Sequence, residues 1–374
     1  MNWHDAAVRI PTRLRRVAGR LASRVAPDLA LVGWPPESPR RRARPSARPR
    51  VGLVGFYGPG NYGDELFLDV FRRYLGPVAD VGVVFDSATR PYFTRPVHQV
   101  VRDHDAIVVG GGDLLVPWGL GDRYWLTDYL RRPVHVIGVG VPTWREEKPA
   151  AVAALRAFMR HRNVRSITAR DEESAAWIRE HLRPRVEVAS SADLVFALPL
   201  PAVQRPTDPP ILGMVVRWRE GGDDYSAVRA LATRGRELGY RLRTIVLSTD
   251  EVRARDERAL DEFGLDGVER IASDDLEVLT RAIGECTMLA SHKFHGTVVA
   301  VSYGIPSISM STTDKNRNLL RRLGRPDLLC AFGDPSLPDR LENPPQPIDL
   351  TVRDEMAREA TASLEALRDR ILRG

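Results

Sequence analysis

His292, Lys293 and His295 fall within four residues, between the apolar run Met288-Leu289-Ala290 and Gly296. Imidazoles change charge near neutral pH. An ammonium is a compact charge that can also pass a proton, which a guanidinium does not readily do. The pattern predicts a buried strand that ends in this basic turn and a helix that begins at about residue 296 and runs to 303. A second strand over 307–310 follows the Gly304-Ile305-Pro306 turn. Such a strand–loop–helix aims backbone N–H groups and a positive dipole end at one spot, which suits a phosphate or a carboxylate. The chain has only three lysines, Lys148, Lys293 and Lys315, against 52 arginines, and two of the three lie in this block. An arginine-biased coding sequence explains the scarcity, and an ordinary αβ unit with surface charge explains the block without chemistry.

Other residues could work beside it. Arg217 and Arg219 flank Trp218 at the end of an apolar run, on one side of a strand, where a guanidinium could grip a carboxylate with two hydrogen bonds. A surface salt bridge is the plainer reading. Gly58, Gly60 and Gly63 lead into Asp64 and Glu65, with Asn61 between them. Asn61 and Asp64 read equally as a helix cap pair and as substrate contacts. The loop is not a dinucleotide fingerprint, because the glycine spacing is wrong and Pro59 interrupts it. Asp113 follows Gly110-Gly111-Gly112 and reads as a turn or cap residue.

Taken in order, these motifs resemble the polysaccharide pyruvyl transferase family. The family's usual Ser-Arg-Leu-His-Gly, then Ala, Gly-x-Pro and a later Lys, is matched by His295, Gly296, Ala300, Gly304, Pro306 and Lys315. Lys293 stands at the arginine position and Phe294 at the leucine position. Gly60-Asn61-Tyr62-Gly63-Asp64-Glu65, the triple glycine at 110–112 and Arg170-Asp171-Glu172-Glu173-Ser174 are similar to three further family motifs. Asp193 occupies an Asp-Pro position, with Leu194 in place of the proline. The resemblance spans about residues 51–323. It implies transfer of pyruvyl from phosphoenolpyruvate to two hydroxyls of a polysaccharide or lipid-linked saccharide, in exopolysaccharide and cell-envelope synthesis, with no cofactor. By the same resemblance His295 and Asp64 are catalytic candidates. Lys293, Arg217, His292, Gly296 and Lys315 are donor-binding, and Asn61, Gly60, Gly63, Gly111, Gly112 and Asp113 lie on the acceptor side. Two other readings stay open, a glycosyltransferase using a nucleotide sugar and an inactive relative that binds a partner.

Apolar runs alternating with helical patterns must position these residues. They predict an α/β chain of two Rossmann-like, doubly wound parallel-sheet domains facing a cleft, a GT-B-like arrangement that the resemblance also implies. The expected division is a leader over 1–50, a first domain over 51–200, a proline-rich hinge over 201–210, a second domain over 211–335, and a linker with a final helix over 336–374. That helix is expected to start with Thr351 as its cap and to carry the stripe Met356, Ala360, Leu364, Leu367 and Ile371. Ligands of such sheets bind beyond the carboxyl ends of the strands, where the glycine turns, Arg217 and the basic block all lie.

Composition excludes several classes. The net charge is +6, yet the first 50 residues carry twelve arginines against Asp5, Asp28 and Glu37, which is +9 for the leader and −3 for the rest. Nucleic-acid binding by the body is therefore not expected. Two cysteines, Cys286 and Cys330, fit a reducing compartment and a cytoplasmic location. The histidines show no metal-ligand spacing, and there is no apolar run long enough to span a membrane. In the leader, Leu14, Val17, Leu21 and Val25 recur at helical spacing beside Arg13, Arg16, Arg20 and Arg24, ahead of a Pro/Arg-rich linker. Such a segment could rest on an anionic leaflet, or be a solvated tail, or reflect an early start codon.

Overall fold

The computed structural model describes residues 48–374, apart from 86, 89, 122, 207, 219–223 and 266. The leader and Arg219 lie outside the described residues. The first sheet has the order β2-β1-β3-β4-β5-β6, with every described pairing parallel. Its strands are β1 (Arg50–Val54), β2 (Asp80–Val83), β3 (Ala106–Gly112), β4 (Val134–Val139), β5 (Val164–Ala169) and β6 (Val188–Ser190). The second sheet has the order β11-β10-β7-β8-β9, also parallel. It contains β7 (Ile211–Val215), β8 (Arg241–Ile245), β9 (Glu269–Ile271), β10 (Met288–Ser291) and β11 (Ser307–Ser309). Neighbours that are not consecutive in sequence require helical crossovers, so helices cover both faces.

Successive strand residues explain the two apolar layers. Val51, Leu53 and Val108 join one core, whereas Val54, Ile107 and Val109 join another on the opposite face of the first sheet. The first of these cores runs without a break into the second domain. Helix α1 (Tyr62–Leu75) buries Leu66, Phe67, Val70 and Phe71 in it. Short α2 (Val97–Arg102), which the sequence pattern did not announce, precedes β3. Then come α3 (Pro149–Met159) and α4 (Glu172–Trp177) in the first domain. The second domain holds α5 (Ser226–Glu237), α6 (Asp250–Phe263), α7 (Leu276–Gly284), α8 (Phe294–Ser302) and α9 (Asp314–Arg322).

The final helix, α10 (Leu350–Arg373), buries Met356, Ala360, Leu364, Leu367 and Ile371, the stripe its spacing predicts. It packs against α1 and the turn Leu194–Ala197, so it crosses back onto the first domain. Its cap differs from the expectation. Asp349, not Thr351, caps it, because the Asp349 carboxylate accepts from the N–H of Thr351 at 2.8 Å. No helix among the described residues is long and apolar enough to cross a membrane.

Candidate active site

The basic block does not begin its helix where the pattern suggested. The Ser291 hydroxyl donates to the Lys293 carbonyl at 2.7 Å and accepts from its N–H at 3.2 Å. This turn starts α8 at Phe294, two residues earlier than expected, and puts His295 in the first helical turn. Gly296 is packed against the Ser291 hydroxyl and Leu247, where a Cβ would collide, so it serves packing rather than ligand access.

A cleft of about 610 Å³ opens between the domains. Asn61, Tyr62 and Gly63 line it from the first domain, and Arg217, Lys293, His295 and Lys315 from the second. The structure therefore brings together six of the sequence-derived candidates. His292 is not among them. Its ring is buried and stacked on Phe332, with centroids 4.5 Å apart, and the backbone N–H of His292 donates to the Val215 carbonyl at 2.9 Å. Two imidazoles at one spot, as the spacing suggested, is thus corrected to one.

Lys293 is held on one side of the cleft by its own domain. Its ammonium donates to the Leu247 carbonyl at 2.8 Å and pairs with Asp256 at 2.5 Å. Asp256 in turn accepts from the Ser248 hydroxyl at 2.8 Å and the Trp218 N–H at 2.9 Å. Burial pulls the Lys293 pKa below its ordinary value, and the Asp256 carboxylate opposes that pull. Arg217 is exposed at the end of the strand that carries it into the cleft.

His295 reaches across the seam. Its ring meets Phe67 edge-on at 5.1 Å, and its Nε2 faces the Asp193 carboxylate at 3.5 Å. Neither that nitrogen nor Asp193 Oδ2 has a hydrogen-bond partner at this separation, although both atoms are buried. Burial would raise the Asp193 pKa, but His295 and Arg170 outweigh it and hold it below the ordinary value. Gly63 makes this contact possible, since a Cβ there would fall into the His295 ring.

The glycine-rich loop serves closure more than ligand access. The Thr249 N–H donates to the Gly60 carbonyl at 2.7 Å, across the domain boundary. Gly60 has φ +92° and would drive a Cβ into the Thr249 backbone. That is a seam between domains, not a cradle open to an acceptor. Gly111 packs on Phe67, and Gly112 lies beside the Asp64 carboxylate. Helix α1 starts at Tyr62, so Asp64 stands in its first turn. Asn61 occupies the cap position without capping, and its side-chain amide donates to the Asp64 carboxylate instead. Burial raises the Asp64 pKa to about 6, against the pull of Asn61, His295 and Lys315.

Asp113 is neither a turn cap nor an open acceptor contact. Lys315 reaches it from the second domain at 2.8 Å, and Arg170 at 2.6 Å from the first. Burial alone would raise the Asp113 carboxyl, but the two cations hold it well below the usual carboxylate range. Arg170 and Lys315 also lie over the two-domain junction at the Phe294 ring, 5.2 and 5.3 Å from its centroid. Asp193, Asp256 and Arg170 were not singled out as site residues by the sequence reading. The motif containing Arg170 and the Asp-Pro position at Asp193 were signals for two of them, whereas Asp256 had none.

Several solved structures share the architecture. They include MnaA of S. aureus in complex with UDP (9% identity, TM-score 0.52, covering 84% of this chain and 92% of that one). Another is Alr3699/HepE of Anabaena in complex with UDP-glucose (12% identity, TM-score 0.52, 87% and 98% covered). A third is the UDP-GlcNAc 2-epimerase of Methanocaldococcus jannaschii (9% identity, TM-score 0.51, 85% and 99% covered). At these identities the likeness shows the two-domain GT-B fold alone. No curated protein matches in sequence. The sequence model of the family "Polysaccharide pyruvyl transferase" matches residues 61–314, which is most of the chain and takes in every cleft-lining residue except Phe56 and Lys315. The match begins at Asn61, where the first domain's loop meets the second, and ends at Asp314, where the second domain's α9 meets the first, and with it the chain belongs to the polysaccharide pyruvyl transferase family.

Proposed function

We propose that the protein transfers the pyruvyl group of phosphoenolpyruvate to two hydroxyls of a saccharide, forming a ketal. The observation that carries this is the cleft itself, where Lys293, Arg217 and His295 face Asn61, with Asp64 directly behind it. The cations suit a small donor that is anionic at both ends, carboxylate at one and phosphate at the other. His295 delivers a proton to C3 of the enol, leaving C2 open to the first acceptor hydroxyl. Asp64, with a pKa near 6, accepts that hydroxyl's proton. The C2–O bond to phosphate then breaks, phosphate leaves with its electron pair, and the second hydroxyl adds to C2 and closes the ketal, giving its proton to the His295 imidazole that was deprotonated in the first step. Asp193, 3.5 Å from Nε2, orients the His295 ring. The reaction needs no cofactor. The acceptor belongs to a polysaccharide or a lipid-linked precursor, and the basic leader would hold the enzyme to the inner, anionic face of the membrane where such precursors are extended.

Thermal denaturation with millimolar phosphoenolpyruvate tests the donor, since a ligand bound only by the native state raises Tm. A rise with phosphoenolpyruvate is expected. No rise, with a clear shift from UDP-glucose or a GDP-sugar, would move the assignment to a glycosyltransferase. No response to either, in a folded protein, would favour a binding role without catalysis.

A further inference from the structure

Exposed tryptophan is costly, and this chain fixes one in place beside its site. Trp144 is 52% exposed, and its ring meets that of Trp118 at 5.3 Å between centroids and 58° between planes. The two rings make an open V at the carboxyl ends of β3 and β4. Both loops are braced. The Lys148 N–H donates to the Pro117 carbonyl at 2.9 Å, tying one loop to the other. The Thr143 N–H and hydroxyl donate to Asp314 at 3.0 and 2.6 Å, anchoring the second loop to the other domain. Trp177 bonds Glu147 at 2.7 Å. The rings are therefore positioned before anything binds.

Trp144 also forms a wall of a 240 Å³ hollow whose other walls carry Asp113, Glu173, Asn318 and Arg321. Lys315 lines both this hollow and the cleft. Flat apolar faces beside carboxylate, amide and guanidinium groups match a pyranose ring, with its C–H face on an indole and its hydroxyls on the polar wall. An anionic leaflet fits less well, because the segment after the tryptophan carries no net positive charge, Arg145 and Lys148 being matched by Glu146 and Glu147.

We propose that Trp118 and Trp144 form an acceptor subsite for a pyranose ring of the saccharide chain outside the reacting sugar. This rests on the saccharide acceptor of the proposed function. Calorimetric titration of the full chain with methyl glycosides and β-linked disaccharides of glucose, galactose, mannose and N-acetylglucosamine tests it. Trp144→Ala and Trp118→Ala should each weaken disaccharide binding by about tenfold, the effect of one lost aromatic face. Trp144→Phe should keep most of it, and the Tm rise with phosphoenolpyruvate should not change in any of the three. Wild-type protein that binds none of these sugars would overturn the proposal. So would a double alanine variant that binds as wild type does, or tryptophans needed only for co-sedimentation with phosphatidylglycerol vesicles. Sugar binding that depends on both rings, without any response to phosphoenolpyruvate, would remove the donor reading and leave this subsite standing.

Discussion

Lys293 and Lys315 are two of only three lysines, both sit in the same motif block, and each pairs with a carboxylate. Their partners make them different. Asp256 belongs to the same domain as Lys293, so that ammonium stays on the cleft wall however the domains move. Asp113 belongs to the other domain, so the Lys315 pair exists only when the domains meet. Asp113 is shared with buried Arg170, whose pKa its neighbours raise despite burial. On the proposed function, one lysine is placed to hold the donor, and the other to hold the two halves together around it. A motif gives residue types and order; the partner decides the task.

The largest effect should come from the seam. Asp113→Ala leaves Arg170 and Lys315 without their shared counter-charge, and removing one member of a buried ionic cluster costs about 3–5 kcal/mol. The urea midpoint should fall accordingly, and an unchanged midpoint would mean that the seam does not rest on this cluster. On the cleft wall, Lys293→Ala should weaken phosphoenolpyruvate binding by about 1.5–3 kcal/mol, the range for a hydrogen bond to a charged group. Lys293→Arg should keep that binding. If Lys315→Ala weakened donor affinity as much while leaving stability alone, the two lysines would share one role.

Gly63→Ala probes where the domains touch. Its Cβ would occupy the space of the His295 ring, and overpacking of this kind costs about 1–3 kcal/mol. Turnover should fall with it, as His295 is pushed from Asp193, and normal turnover would separate His295 from the chemistry. His295→Ala should abolish turnover with the fold retained, as read by circular dichroism.

The pH dependence is the mildest test. As the base of the proposed reaction, Asp64 would act in its ionised form, and with a pKa of about 6 the rate should rise about tenfold per pH unit below that value and level off above it. Asp64→Asn should remove this limb. The stability term has the opposite sense. A carboxyl raised in the folded state stabilises most below its unfolded pKa, and that contribution is lost as pH rises through about 6. A pH–rate profile without a limb near 6 would take Asp64 out of proton transfer.

Much of this was legible in the chain. Runs such as 106–109 and 288–290 are apolar on both faces, which only a sheet covered on both sides can satisfy, so two parallel-sheet domains followed from pattern alone. The stripe from Met356 to Ile371 gave the last helix and its buried face, because helical spacing is a local property. Helix starts were read less well. Ser291 and Asp349 turn the chain with side-chain hydrogen bonds that periodicity does not register.

What only the tertiary structure decided is pairing. Asp113 reads as a loop carboxylate until Lys315, 202 residues later, arrives beside it. The glycines at 60 and 63 look like a ligand cradle, yet they exist so that Thr249 and His295 can approach the backbone closely. His292 looks like half of an imidazole pair, yet Phe332 takes its ring into the core. Local spacing fixes which side chains leave a helix or strand together. Which of them meet across a cleft depends on how two separately wound sheets dock, and that rests on burial and charge summed over both domains.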